Sequence, residues 1–175
     1  DAENVGPDAA PADRRQPRED RRRLAALCLF WALAAGFFWR PLFHGEILIP
    51  VNPRSWHPWA LEDPEWRQAG SKVNPLMGDA LTLTYPWRLY NAEMLARREI
   101  PFWNPYIFSG YPHLAALQSH AVYPLTAVFD LWDPVAGIAW SMAVHLALAG
   151  TLMFLFLCRL RIGLAAAVLG GVVFE

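Results

Sequence analysis

The stretch VAGIAWSMAVHLALAGTLMFLFLC, from Val135 to Cys158, has no formally charged residue and is closed by Arg159 and Arg161. A helix crosses the hydrocarbon core of a bilayer in about 20 residues, so this stretch reads as a complete transmembrane helix. Within it, Ala143, Ala147 and Thr151 recur at four-residue spacing, which lets helix backbones approach closely. His145 places an ionisable group at membrane depth, which raises a functional question. The plainer account is a neutral imidazole bonded to a neighbouring helix.

Toward the N-terminus, Leu24 to Phe43 contains a single charge, Arg40, near one end. Arg40 can snorkel to the interface, where Trp31 and Trp39 suit the aromatic belt. A cleaved signal peptide competes with a first transmembrane helix here, because Ala32-Leu33-Ala34 has the small residues of a cleavage site. The apolar run continues through Phe37, Phe38 and Trp39, however, and residues 1–23 are long for a signal n-region. An uncleaved helix over residues 24–43 is therefore expected. Residues 1–23 lack apolar periodicity and read as a disordered tail. The tail ends in RRQPREDRRR, Arg14 to Arg23. Such a run can mark a nucleic-acid patch. Directly before an apolar segment it reads instead as a positive-inside anchor within reach of anionic headgroups, and no nucleic-acid partner is expected.

Basic residues thus precede the first apolar block and follow the second. The positive-inside rule places the N-terminus and the turn 159–162 in the cytoplasm of a cell membrane, and residues 44–134 outside. Residues 163–175 open a third apolar segment too short to span, so further transmembrane helices are expected beyond it. The expected fold class is all-α: a polytopic membrane fragment with two full transmembrane helices, the start of a third, and a large external loop of short amphipathic helices. Composition agrees with the pattern without deciding it: the chain is 55% hydrophobic and 18% charged, with 9 tryptophans and a net charge of −1. Cys28 and Cys158 both fall inside apolar blocks, so no disulfide framework is available to the external segment. Packing must order it.

Loops as long as 44–134 are uncommon and tend to carry function. After a Pro- and Trp-rich stretch, Pro50 to Trp66, residues Asp79 to Arg98 show helical spacing. Leu81, Tyr85, Leu89, Ala92 and Leu95 or Ala96 fall on one face, with Arg88, Asn91 and Arg98 elsewhere. Pro86 fits the first turn of a helix starting near Thr84, or kinks one starting at Asp79. The pattern suits an amphipathic helix in the outer headgroup region. Prolines flanking Trp103 and Asn104 exclude regular helix there, and Gly110 permits a sharp turn. A second helical stretch is expected from His113 to about Tyr123, and a third from Pro124 through Leu131.

The ordered series Gly78-Asp79, Tyr85-Pro86, Ile100-Pro101-Phe102-Trp103-Asn104-Pro105-Tyr106, Gly110-Tyr111-Pro112 and Tyr123-Pro124-Leu125 resembles the first external loop of YfhO-like bacterial membrane proteins. That family is similar in architecture to GT-C glycosyltransferases. The resemblance covers roughly residues 24–175, and its most specific part is Pro-x-Trp-Asn-Pro followed by Gly-x-Pro. It implies a multi-pass enzyme that transfers a sugar from a polyprenyl-phosphate donor to a cell-envelope acceptor on the outer face of the membrane. It also implies an acidic catalytic base in this loop, and Asp79 is the position that matches. A carboxylate at headgroup depth can accept a proton from the attacking hydroxyl as the lipid phosphate departs. By the same reading Arg88 would pair with the donor phosphate, while Trp103, Asn104 and Tyr106 would bind substrate.

Each residue has a plainer role. Asp79 suits a helix N-cap, Arg88 a solvated or headgroup-facing position, and the aromatics interface packing. Glu46, Glu62, Asp63, Asp130 and Asp133 are further acids, each readable as a surface or loop residue. His44, His57, His113 and His120 show no metal-ligand spacing, so a dedicated zinc site is not expected; the sequence identifies no cofactor and leaves a divalent metal open without supporting one. The competing function is non-enzymatic: a transport, polymer-export or scaffold component whose outer loop only packs. Transport would call for internal repeats with Gly- or Pro-broken helices.

Overall fold

The computed structural model describes residues 16–48 and 78–175, with the backbone alone for Gln16 and Pro17. Residues 1–15, the Pro50–Trp66 stretch, His57, Glu62 and Asp63 lie outside the described residues. The described elements are helical: α1 (Gln16–Phe37), α2 (Trp39–His44), α3 (Tyr85–Ala96), α4 (Pro124–Trp132), α5 (Ala136–Arg159) and α6 (Leu164–Phe174), with short π and 3-10 turns. Among the described residues there is no strand, only an isolated bridge between Asn104 and Tyr111. The chain is all-α.

Helix α1 begins inside the arginine run, where a tail is expected from sequence. Arg, Glu, Gln, Leu and Ala are good helix formers, and Pro17 falls in the first turn, where its missing N–H costs nothing. The helix stops at Phe37 for a local reason: Pro41, four residues on, has no N–H for the Phe37 carbonyl and its ring crowds that oxygen. Helix α2 restarts at Trp39 and closes at Gly45 with φ +66°, the left-handed residue that commonly ends helices. Arg40 pairs with Glu46 at 2.6 Å on the exposed surface.

The expected single span over residues 24–43 is therefore broken at Phe38. Leu24 to Phe37 covers about 21 Å at 1.5 Å per residue, short of a hydrocarbon core of about 30 Å. Helix α5, 24 residues long, is the one helix among the described residues long and apolar enough to cross a membrane.

The chain divides into two compact units. The terminal unit holds α1 to Ala34 and the chain from Leu146 to Glu175. Its core is Phe30 and Phe154, both fully buried, with Ala26 and Ala167; the two rings stand 5.7 Å apart. A Cβ on Gly171 would lie 2.5 Å from the Phe30 ring and 3.0 Å from the Gly150 carbonyl oxygen. Glycine is what lets α6 lie this close to α5 and to Phe30.

The central unit, Ala35–His145, contains all 8 buried polar or charged residues found among the described residues: Arg88, Asn91, Asn104, His113, Ser119, Thr126, Asp130 and Ser141. Helix α3 is preceded by a π turn, Ala80–Thr84, in which the Tyr85 N–H reaches back to the Ala80 carbonyl. Pro86 cannot donate to Thr82, so the chain widens just upstream of it. The helical run thus starts near Asp79 and becomes α-helical only at Tyr85. Asp79 makes no side-chain cap bond. The acid that caps a helix is Asp133, whose Oδ1 accepts from the backbone N–H groups of Val135 (2.8 Å) and Ala136 (3.0 Å) at the start of α5.

The face of α3 that packs inward differs from the one the apolar spacing selects. Trp87, Arg88, Tyr90 and Asn91 are buried, whereas Leu89 is 40% exposed. The polar side chains are drawn inward by partners distant in sequence. The same pull explains residues 113–123, which form turns around a 3-10 turn, Leu117–Ser119, and not the expected helix. His113 and Ser119 are both buried, bound to α3, and His120 takes φ +54°. Helix α4 appears where expected, from Pro124.

Between α3 and His113 the chain doubles back. Asn104 and Tyr111 exchange two backbone bonds of 2.8 Å, and the Asn104 carboxamide oxygen accepts from the Tyr106 N–H at 2.9 Å. Gly110 closes the turn at φ +124°, and a Cβ there would lie 2.4 Å from the Trp103 indole. Gly110→Ala is accordingly expected to destabilise this unit by about 1–3 kcal/mol through backbone strain and displacement of the indole. Thermal unfolding followed by tryptophan fluorescence checks it; Gly110→Ala in a Trp103→Leu background should cost less, since only the backbone part remains.

Candidate functional site

Two arrangements around α3 carry polar chemistry. The first is buried. Arg88 Nε donates to Asp130 Oδ1 on α4, with the two side chains 6% and 1% exposed. The guanidinium also reaches Ser141 Oγ on α5 at 3.5 Å, and Ser141 donates to the Ile138 carbonyl at 2.9 Å. A Cβ on Gly137 would stand 3.1 Å from Arg88 Nη2, so the glycine makes room for the cation beside α5. Arg88 Nη2 and Asp130 Oδ2 have no partner among the described residues. Burial pushes the Asp130 carboxyl up to about 6, against the opposing pull of Arg88 and Asn91.

One turn along α3, Asn91 Nδ2 donates to the Ser119 carbonyl at 2.7 Å. That fixes the amide orientation, so Asn91 Oδ1 accepts from His113 Nε2–H at 2.9 Å. His113 Nδ1 is then unprotonated and has no partner among the described residues. The imidazole lies edge-on between Trp87 and Tyr90, with ring centroids 6.0 and 5.0 Å away. Burial lowers its pKa from 6.5, keeping it neutral. Tyr90 donates to the Trp103 carbonyl at 2.7 Å, and burial raises its phenol. His145 satisfies both ring nitrogens: Nδ1–H donates to the Ser141 carbonyl, and Nε2 accepts from the Tyr123 hydroxyl at 2.8 Å.

The second arrangement is an open groove of about 480 Å³ beside α3, lined by Thr82, Leu89, Tyr90, Glu93, Asn104 and Tyr106. Tyr106 is 75% exposed and stacks edge-on with Tyr90 at 5.9 Å. Glu93 shares Oε1 with Arg97 at 2.5 Å.

Of the residues singled out from sequence, Asn104 and Tyr106 line the groove together. Asn104 is nonetheless 2% exposed and its carboxamide oxygen already holds the turn. Trp103 is 56% exposed and covers Gly110. Asp79 is exposed at the head of the π turn and is not among the groove's lining residues. Arg88 and Asp130 are neither solvated nor surface residues: each neutralises the other in the interior. Asp133 is a cap. Sequence reasoning missed Glu93, Asn91, His113 and Ser119 as site members. Only Glu93, one or two turns from Leu89 and Tyr90 on a recognised helix, left a signal that could have found it. Among the described residues no three His, Cys, Asp or Glu side chains cluster as a metal site. The chain matches no protein-family model, and no curated protein and no solved structure is significantly similar to it.

Removing one partner of a buried ion pair strands the other charge, at a cost of about 3–5 kcal/mol. Arg88→Met should therefore unfold or strongly destabilise the central unit, while Arg88→Met with Asp130→Leu should recover most of the loss; chemical denaturation of both variants checks this. The pH dependence has two opposing parts. Asp130 has a raised folded-state pKa, so its contribution favours folding below about 4 and is lost as pH rises through about 6. His113 has a lowered one, so its contribution is present above 6.5 and is lost as pH falls. Between pH 7 and 5, His113→Gln should thus leave a melting temperature that rises on acidification, and the Arg88→Met, Asp130→Leu double variant one that falls.

Proposed function

We propose that this chain forms part of a multi-pass membrane glycosyltransferase of the GT-C type. In this reading residues 135–158 cross the bilayer, residues 24–43 cross it as two helical pieces, α1 and α2, kinked at Phe38, the arginine-flanked ends are cytoplasmic, and the segment between them works on the outer face. The observation that carries the proposal is the open groove beside α3, where a carboxylate, a carboxamide and two tyrosines lie together. Aromatic faces with convergent polar groups are what a sugar ring requires. The long apolar helix α5 and the ordered Pro, Trp and Gly motifs that resemble YfhO-like proteins support it further.

Asp79 serves as the base. Its carboxylate is exposed at the head of the helical run that borders the groove, where it can take a proton from an acceptor hydroxyl while the polyprenyl phosphate leaves. Tyr106 holds the sugar, on a turn that the Asn104 carboxamide fixes, with Trp103 behind it. Arg88 acts from within the fold, because its guanidinium is committed to Asp130. That commitment also favours a second reading, in which the central unit is a packing module of a non-enzymatic membrane component.

Asp79→Asn separates the two. In membranes carrying the protein, transfer from a polyprenyl-phosphate sugar should fall by about 10²–10⁴-fold at unchanged protein abundance, and Tyr106→Ala should chiefly raise KM for the sugar. Unaltered turnover in Asp79→Asn would remove the base assignment. Absence of transfer by the unsubstituted protein from every lipid-linked sugar offered would favour the packing reading.

A further inference from the structure

At one end of the terminal unit, arginines from two distant parts of the chain meet. A cavity of about 360 Å³ is bordered by Arg22 and Arg23 of α1, by Arg161 of the turn after α5, and by Glu19. A neighbouring cavity of about 540 Å³ shares Arg23 and Arg161 and adds Arg159, with Phe154 and Leu155 from α5. Four guanidinium groups thus surround adjoining spaces that contain one carboxylate. Among the described residues none of the four arginines has an ion-pair partner, the pairs there being Arg40–Glu46, Arg88–Asp130 and Arg97–Glu93. The spaces also have apolar walls, from Leu155, Ile162 and Leu164.

The turn is built in an unusual way. Arg161 N–H bonds the Cys158 carbonyl at 3.0 Å and Ile162 N–H bonds the Leu157 carbonyl at 3.1 Å, the two bonds of a Schellman helix end. Arg161 occupies its left-handed position at φ +59°, where glycine is the usual residue. An arginine held there at a conformational cost brings a cation to both cavities.

We propose that these cavities bind the phosphate of an anionic phospholipid, with the arginines on the headgroup and the apolar walls against the first acyl carbons. A free phosphate ion would satisfy the cations but leave the apolar walls uncovered, whereas a lipid matches both. The inference rests on the chain lying in a membrane, and is separate from any transferase activity.

The test uses the purified protein in a neutral detergent, titrated with dioleoylphosphatidylglycerol, dioleoylphosphatidylcholine or sodium phosphate, with bound species counted by native mass spectrometry. Phosphatidylglycerol should bind preferentially. Arg161→Gly should weaken it about fivefold, the equivalent of about 1 kcal/mol for one arginine at a headgroup, without lowering the melting temperature, because glycine suits the turn. Glu19→Gln should tighten binding, a gain that misfolding cannot produce. Arg97→Gln, which breaks an exposed pair in the other unit, should change nothing. Equal binding of the two lipids, or an Arg161→Gly variant indistinguishable from the parent, overturns the proposal, as does sodium phosphate binding as well as phosphatidylglycerol. Release of the protein from membranes by alkaline carbonate would instead defeat the membrane reading itself.

Discussion

The buried pair between Arg88 and Asp130 is the constraint around which the central unit is arranged. The two residues are 42 positions apart, and the pair ties α3 to α4, with Ser141 bringing in the first turns of α5. Neither charge can be left alone in the interior, since removing an ion from water costs several kcal/mol after relaxation. The pair therefore acts mainly as a register: of the ways α3 could rotate against α4, those that separate guanidinium from carboxylate are penalised heavily. Glycine at position 137 completes the arrangement by leaving space for the cation beside α5.

Once Arg88 is turned inward, its neighbours on α3 follow. Asn91 is one turn on, so it too faces the interior and needs partners for both ends of its amide. It finds the Ser119 carbonyl and His113, and these two bonds draw residues 113–119 against the helix as turns. Trp87 and Tyr90 then close on the imidazole from two sides, and the Tyr90 hydroxyl fixes the Trp103 backbone. The aromatic turn that borders the open groove is thus placed by a chain of polar contacts that begins at the ion pair. The terminal unit is organised on the opposite principle. It has an apolar core of Phe30 and Phe154, with glycine letting its helices approach closely.

Those two principles account for what could be read from sequence. The long apolar helix α5, the helix at Pro124 and the turn at Gly110 were legible because each is specified locally, by a long uncharged run, by a proline suited to a first turn, and by a residue able to adopt positive φ. The break at Phe38 was legible in principle, since Pro41 is its cause; hydropathy summed over residues 24–43 conceals it. The inward face of α3 was not legible. Periodicity gathers Leu81, Tyr85 and Leu89 on one face, and nothing in it draws Arg88 and Asn91 inward until Asp130 and His113 are known to be nearby. No spacing rule connects positions 88 and 130, or 91 and 113. Acid roles were obscured for the same reason: Asp79 and Asp133 both precede helices, yet only Asp133 bonds the backbone it precedes.

This division of labour among the acids bears on where chemistry can occur. A carboxylate that holds a fold together is a poor base, because it is committed to partners inside the fold and does not face a substrate. Asp130 is bound in this way to Arg88, and Asp133 to two backbone N–H groups of α5. Asp79 makes no cap bond and is exposed, so α3 does not depend on it. Glu93 is intermediate: it borders the groove, but shares an oxygen with Arg97, one turn away and 60% exposed, and an exposed pair of this kind is worth little and is readily released. The buried network thus supplies a rigid support on one side of α3, while the opposite side keeps its titratable groups uncommitted. Reactive groups on a rigid support are what the proposed site requires.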